Sequence, residues 1–140
     1  MRGHSRGFTF AELSLVIAVV GTLTIIGVST YSKMVSRAKE GTVSTNAHAL
    51  QMKVESFTIV NGYPPWSHTA FNDPMMPALG LQPNPFTGAT TEIGTPADYS
   101  QGDLGYSVDG NTQVYRIVAF GKDNTSGPNG DGIVLDIESF

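Results

Sequence analysis

An apolar run from Phe8 to Val28 dominates the first part of the chain, and Glu12 is its one formal charge. At about 1.5 Å per helical residue, a run of this length covers about 30 Å, close to the thickness of a bilayer's hydrocarbon core. Arg2 and Arg6 precede the run and would keep this end on the cytoplasmic side of a membrane. The pattern predicts a membrane helix over residues 8–30, with the rest of the chain on the far side.

A second hydrophobic pattern follows this run, after a short charged boundary. Its apolar positions recur at spacings of four and three, which places them on one face of a helix. They are Val43, Ala47, Leu50, Val54 and Phe57. No proline interrupts the chain before the stop signal Asn61-Gly62-Tyr63-Pro64-Pro65. One helix about 80 Å long is therefore predicted, with a membrane half and an amphipathic half.

The last part of the chain carries strand-like patterns. Residues 104–108 and 113–120 are rich in strand-forming residues and flank Asp109-Gly110-Asn111, a typical hairpin turn. Residues 133–137 form a third segment of the same kind. We expect a three-stranded antiparallel sheet over residues 104–140, packed on the amphipathic half of the helix.

These elements together predict an α+β domain over residues 31–140. Its helix ends at about residue 61, and a long loop rich in proline, glycine and asparagine occupies residues 62–103. The chain contains no cysteine, so something other than a disulfide must hold its loops if the domain is exported.

Composition and motifs narrow the possible functions. Only 14% of the residues are charged, and Lys33, Arg37 and Lys39 form the one basic cluster, so nucleic-acid binding is not expected. The sequence has no cysteine nucleophile, Gly-x-Ser-x-Gly motif or phosphate-binding loop, and the histidines lack metal-ligand spacing. We therefore expect no enzymatic activity.

Glu12 carries the most specific functional signal. A carboxylate inside a membrane costs several kcal/mol unless it is paired, so this residue implies a partner. The segment Gly7-Phe-Thr-Phe-Ala-Glu-Leu13 resembles the class III signal of type IV pilins and type II secretion pseudopilins. The resemblance implies that prepilin peptidase removes a leader, residues 1–7, by cutting between Gly7 and Phe8. It also implies N-methylation of Phe8 and an assembly role for Glu12.

Cleavage at this position would supply the missing partner. It creates an amine at Phe8 that lies one helical turn from Glu12 of the same chain and can reach Glu12 of a neighbouring copy. In a low dielectric such a pair is strong, and a register error leaves both charges unpaired. The alternative is that Glu12 lies at the membrane edge and reaches the headgroups by itself.

The resemblance extends to the end of the helix but includes one departure. Asn61-Gly62-Tyr63-Pro64 and Asn84-Pro-Phe-Thr-Gly88 are similar to boundaries and turns of pilin-like domains. Many family members have a proline where the membrane helix ends, near Ser29 here, and this chain has none. The kink that such a proline produces is therefore in doubt, although Gly27 and Ser29 could supply a weak point.

A glycine-rich loop near the C-terminus is a candidate calcium site. It offers oxygen ligands of the kind that Ca²⁺ prefers, from Asp123, Asn124, Ser126, Asn129 and Asp131. Major pseudopilins have a comparable acidic loop before their last strand, and this resemblance implies Ca²⁺ as the one possible cofactor. The alternative is an ordinary solvated loop.

The leading interpretation is a structural subunit of a type IV pilus-like filament. The resemblance implies a homopolymer built with an inner-membrane assembly platform, from a subunit that is first a single-pass protein of the bacterial inner membrane. The filament would then lie in the periplasm or at the cell surface. One alternative is a major pseudopilin of a type II secretion system with a calcium loop. Another is a monomeric binding or enzymatic domain that keeps its anchor.

Overall fold

The computed structural model describes residues 7–72, 80–96, 100–122 and 132–139. These residues form one long α-helix, a short 3-10 helix and a four-stranded sheet. The elements are α1 (Phe10–Asn61), the 3-10 helix (His68–Asn72), β1 (Ile93–Gly94), β2 (Leu104–Val108), β3 (Tyr115–Phe120) and β4 (Ile133–Glu138). The chain divides into two compact units, one up to Val35 and one from Ser36 onward.

The first unit contains the apolar start of α1. The large apolar side chains of this part are exposed, from Phe10 at 86% to Val19 at 49%. The helix has the length and composition needed to cross a membrane. It remains helical through Ser29, where the missing proline left a kink in doubt.

The hydroxyl groups in this apolar stretch bond to their own helix. Each donates to a backbone carbonyl three or four residues earlier, at 2.8–3.1 Å. The donors are Ser14, Thr22, Thr24, Ser29 and Thr30. Such bonds satisfy polar side chains where water is absent.

The helix ends at the predicted stop signal. Gly62 has a φ of +82°, the left-handed conformation that glycine adopts at helix ends, and its amide donates to the Thr58 carbonyl at 2.8 Å. The side chain of Asn61 donates to the Phe57 carbonyl at 2.9 Å. Two carbonyls in the last turns of α1, those of Phe57 and Thr58, therefore have partners before the chain turns into Pro64 and Pro65.

The core of the second unit lies between α1 and the sheet, as predicted. Val43, Ala47, Leu50 and Val54 of α1 are fully buried. They pack in one cluster with alternate residues of two strands and with Phe71 of the 3-10 helix. The strand residues are Leu104, Tyr106, Tyr115, Ile117 and Ala119. The fold is α+β, with a long N-terminal helix packed on a small sheet.

The sheet has four strands in the order β1-β2-β3-β4, whereas the sequence predicted three. Strands β2, β3 and β4 are antiparallel, as predicted. The additional strand β1 pairs in parallel with β2, with Ile93 opposite Leu104. Two residues are too few to show a period-two pattern, so the sequence pattern does not distinguish this strand from the predicted loop around it.

Two buried asparagines hold the long loop in place. Asn46 of α1 donates to the Gln82 carbonyl at 2.9 Å and to the Thr91 hydroxyl at 3.2 Å, and it accepts from the Gln82 amide at 2.9 Å. Asn84 donates to the Asp103 carboxylate at 3.0 Å and to the Gln101 carbonyl at 2.7 Å. These bonds satisfy buried polar groups that would otherwise destabilise the fold.

Candidate functional site

The start of α1 contains a reciprocal cap between Thr9 and Glu12. The Thr9 amide and the Thr9 hydroxyl both donate to Glu12 Oε2 at 2.8 Å. In return, the Glu12 amide donates to the Thr9 hydroxyl at 3.3 Å. Thr9 directly precedes the first helical residue, Phe10, so this arrangement is a capping box.

The cap has two consequences for the Glu12 carboxylate. It occupies one oxygen, Oε2, with two hydrogen bonds from within the same chain. The other oxygen, Oε1, has no hydrogen-bond or ion-pair partner among the residues that the structure describes. The carboxylate is therefore fixed in position and still has one side available to a second group.

Thr9 is a functional candidate that the sequence reasoning missed. The signal was present, because Thr9-Phe-Ala-Glu12 matches the pattern of a capping box before an apolar run. The structure shows that the carboxylate already has a local partner.

Gly7 and Phe8, the residues of the predicted processing site, precede this cap. Both are exposed and lie outside regular secondary structure. The Phe8 side chain is 85% exposed. The chain described here continues upstream of Phe8, so the amine that cleavage would create is not formed. Cleavage between Gly7 and Phe8, and the pairing of the resulting Phe8 amine with Glu12, remain predictions.

The predicted calcium ligands, Asp123, Asn124, Ser126, Asn129 and Asp131, lie outside the described residues. The structure describes the two ends of their loop, where the Gly121 amide donates to the Gly132 carbonyl at 2.7 Å. Among the residues that it does describe, no group of three histidine, cysteine, aspartate or glutamate side chains could hold a metal ion. Calcium binding remains a prediction.

Comparison with curated proteins finds a similarity to a type IV pilin. The chain is 38% identical over 54 residues to "Type IV major pilin protein PilA" of Myxococcus xanthus (strain DK1622). The match covers 39% of this chain and 24% of the relative, so the chain spans about a quarter of that protein's length. No protein-family model matches the chain. No solved structure matches it either.

This similarity agrees with the fold. A pilin relative, an apolar N-terminal helix and a small sheet all support a relationship with type IV pilins. The relationship points to a structural protein rather than an enzyme.

Proposed function

We propose that this chain is a structural subunit of a type IV pilus-like filament. The observation that carries the proposal is the exposed apolar first part of α1, whose single carboxylate is held at the first turn with one oxygen free. An apolar helix of this kind requires lipid or other apolar helices around it. A fixed carboxylate in such surroundings requires a cation.

The predicted processing step supplies that cation. Prepilin peptidase would remove residues 1–7 by cutting between Gly7 and Phe8, and the Phe8 amine would then be methylated. The free Glu12 Oε1 would accept the amine of a neighbouring copy while Thr9 keeps Oε2. Glu12 would thus cap its own helix and set the register of the next subunit.

This function implies that the subunit lies first in a membrane and later in a filament. The helix would first span the bacterial inner membrane, with residues 31–140 on the far side. An assembly platform in that membrane would then transfer it into a homopolymer, which would lie in the periplasm or at the cell surface. The similarity to a type IV major pilin supports a pilin-like structural subunit, and the alternative is a type II secretion pseudopilus with a calcium loop.

Mass spectrometry and electron microscopy test the proposal on cells that produce the full chain and the assembly system. We expect a mature chain that begins at methylated Phe8, and surface filaments that contain it. Glu12→Gln keeps a hydrogen-bond acceptor for Thr9 but removes the charge. Filament yield should fall about tenfold or more, because a lost pair of a few kcal/mol corresponds to at least that factor.

The control variant is Ser14→Ala, since the Ser14 hydroxyl bonds only to its own helix, at the Phe10 carbonyl. It should form normal filaments. An intact leader in wild-type cells, together with a monomeric protein, would instead support the anchored binding or enzymatic domain. Normal filaments from Glu12→Gln would refute the pairing role of Glu12.

A further inference from the structure

Strand β4 lies at an edge of the sheet in the second unit. It pairs with β3 on one side, and no strand pairs with its other side among the residues that the structure describes. The Ser139 amide donates to the Tyr115 carbonyl at 3.0 Å, so every second residue of β4, counted back from Ser139, directs its backbone groups toward β3. Asp136 and Glu138 alternate with these residues. Their backbone N–H and C=O groups therefore point away from the sheet, where a further strand could pair.

A groove lies beside this edge of the sheet. It has a volume of about 600 Å³ and is lined by His48 and Gln51 of α1 and by Asp136, Ile137 and Glu138 of β4. Neighbouring strands of a sheet lie about 4.8 Å apart, so an extended chain that pairs with β4 would occupy this groove. The helix thus leaves room for one more strand at the edge.

The groove is surrounded by more negative than positive charge. Asp136 and Glu138 lie on β4, and Glu55 Oε1 accepts from the side chain of Gln51, which lines the groove, at 3.0 Å. The cation that pairs with the two β4 carboxylates is Arg116, whose Nε donates to Asp136 at 2.9 Å and lies 3.4 Å from Glu138. Three carboxylates against one guanidinium leave an excess of negative charge. The side chain of Glu138 is 60% exposed, so it can accept a second cation.

These charges decide which kind of strand can pair with β4. Two β4 strands from two copies would bring Asp136 and Glu138 close to the same residues of the other copy, and like charges that face each other destabilise a sheet. Strand β1, at the opposite edge, has two residues and follows Glu92, so it supplies no positive charge. A strand with lysine or arginine at alternate positions would instead place a positive charge opposite each carboxylate.

We propose that β4 and this groove bind an extended segment of a partner protein, which has lysine or arginine at every second position and pairs antiparallel with β4. In such a pair, residues directly opposite each other exchange backbone bonds, so the basic residues would lie opposite Asp136 and Glu138 and bond to them. The residues between the basic ones would point to the other face of the sheet. Ile137 lies on that face, since its partner Ile117 belongs to the core beneath α1, so apolar residues fit there.

Peptide binding to the full chain in uncharged detergent micelles tests this chemistry. The inference does not depend on filament formation, because one folded subunit contains the whole edge and groove. The probe is a fluorescein-labelled peptide of sequence Thr-Lys-Val-Lys-Val-Thr, whose fluorescence anisotropy should rise on binding. The matched peptide with glutamate in place of both lysines should bind about tenfold more weakly or less, because its charges repel those of β4.

Methylation of the peptide backbone separates strand pairing from simple attraction between charges. N-methyl groups on the two lysine amides remove the donors that face β4 and should weaken binding about tenfold or more. N-methyl groups on the two valine amides, which point away from β4, should change the affinity less than about twofold. Equal effects of the two methylation patterns would overturn the inference, because charge alone would then explain the binding.

A charge reversal in the chain tests the position of the site. Glu138→Lys should weaken binding of the lysine peptide about tenfold or more, and it should strengthen binding of the glutamate peptide. Glu92→Lys is the matched control, because Glu92 is an exposed carboxylate beside the opposite edge, and it should keep the wild-type affinity. Circular dichroism should show both variants folded. Absence of binding by the wild-type chain, equal binding of the two peptides, or unchanged affinity in Glu138→Lys would each overturn the inference.

Discussion

Tyr106 shows how one residue joins the sheet to the end of the helix. The residue is 1% exposed, and its ring packs edge-to-face on Phe71 at a centroid distance of 4.9 Å. Its hydroxyl donates to the Pro65 carbonyl at 2.7 Å. Burial, followed by the neighbouring Tyr115, raises the pKa of Tyr106. The chain just after α1 is thus held by a hydroxyl that must keep its proton.

This residue predicts a loss of stability in alkali. The pKa of Tyr106 is higher in the folded protein than the value of about 10 of an unfolded tyrosine. The contribution of Tyr106 to the free energy of unfolding is therefore complete below about pH 10 and is lost as the pH rises above that value. Urea unfolding in micelles at several pH values should show the free energy of unfolding falling above about pH 10.

Tyr106→Phe provides the comparison for this prediction. The variant should be less stable near pH 7 by about 1–3 kcal/mol, because the Pro65 carbonyl loses its buried partner. Its stability should fall less steeply in alkali than that of the wild type. The prediction would be wrong if both proteins had the same slope between about pH 9 and 12, the range in which tyrosine titrates.

At the residue scale, the sequence predicted apolar contacts better than polar ones. The row from Val43 to Val54 was found because burial follows the helical period. The bonds of Asn46 were not predicted. They join it to Gln82, which is 36 residues away, and to Thr91, which is 45 residues away, so they leave no local pattern in the sequence. Thr9 is the intermediate case, since its pattern is local and was present in the sequence.

At the scale of elements, the start of α1 depends on the cap. Thr9→Val removes the hydroxyl that both donates to Glu12 and accepts from its amide. We expect the first turn to lose about 1 kcal/mol, the usual contribution of such a cap. Amide hydrogen exchange in micelles should then be faster at Glu12 and Leu13, whose amides donate to the Thr9 hydroxyl and carbonyl, by about fivefold for this energy.

Thr9→Ser is the matched control for the cap. Serine keeps the hydroxyl and is as good a capping residue as threonine, so exchange should stay at the wild-type rate. Equal protection of the first turn in the valine and serine variants would show that the cap does not hold this end of the helix.

The elements themselves were predictable in proportion to their length. The long helix and the strands β2, β3 and β4 extend over enough residues for a period to appear. Strand β3 begins at Tyr115 rather than at the predicted residue 113, because Gln113 has a φ of 59° and its amide donates to the Asp109 carbonyl at 2.9 Å. The hairpin turn is therefore longer than its central Asp-Gly-Asn indicates.

At the scale of the second unit as a whole, stability depends on the bond network of Asn46. Asn46→Ala removes a buried side chain and leaves the Gln82 amide, the Gln82 carbonyl and the Thr91 hydroxyl without its bonds, so it should destabilise the protein by about 1–3 kcal/mol. Thr45→Ala is the control, because the Thr45 hydroxyl is exposed and bonds only to the Gly41 carbonyl of its own helix. It should change stability by less than about 0.5 kcal/mol. Urea unfolding followed by circular dichroism measures both, and equal effects would show that the network does not hold the loop.

The hydroxyl bonds in the first unit have a consequence for the energy of moving the helix. Each serine and threonine between residues 14 and 30 donates to its own backbone, so none of them needs water, a lipid headgroup or another chain as a partner. The helix carries the same internal bonds into whatever apolar medium surrounds it. When the helix moves from one such medium to another, the free energy of its hydroxyl groups therefore changes little. The free energy of the Glu12 carboxylate does depend on the destination, because one of its oxygens has no partner within the chain described here.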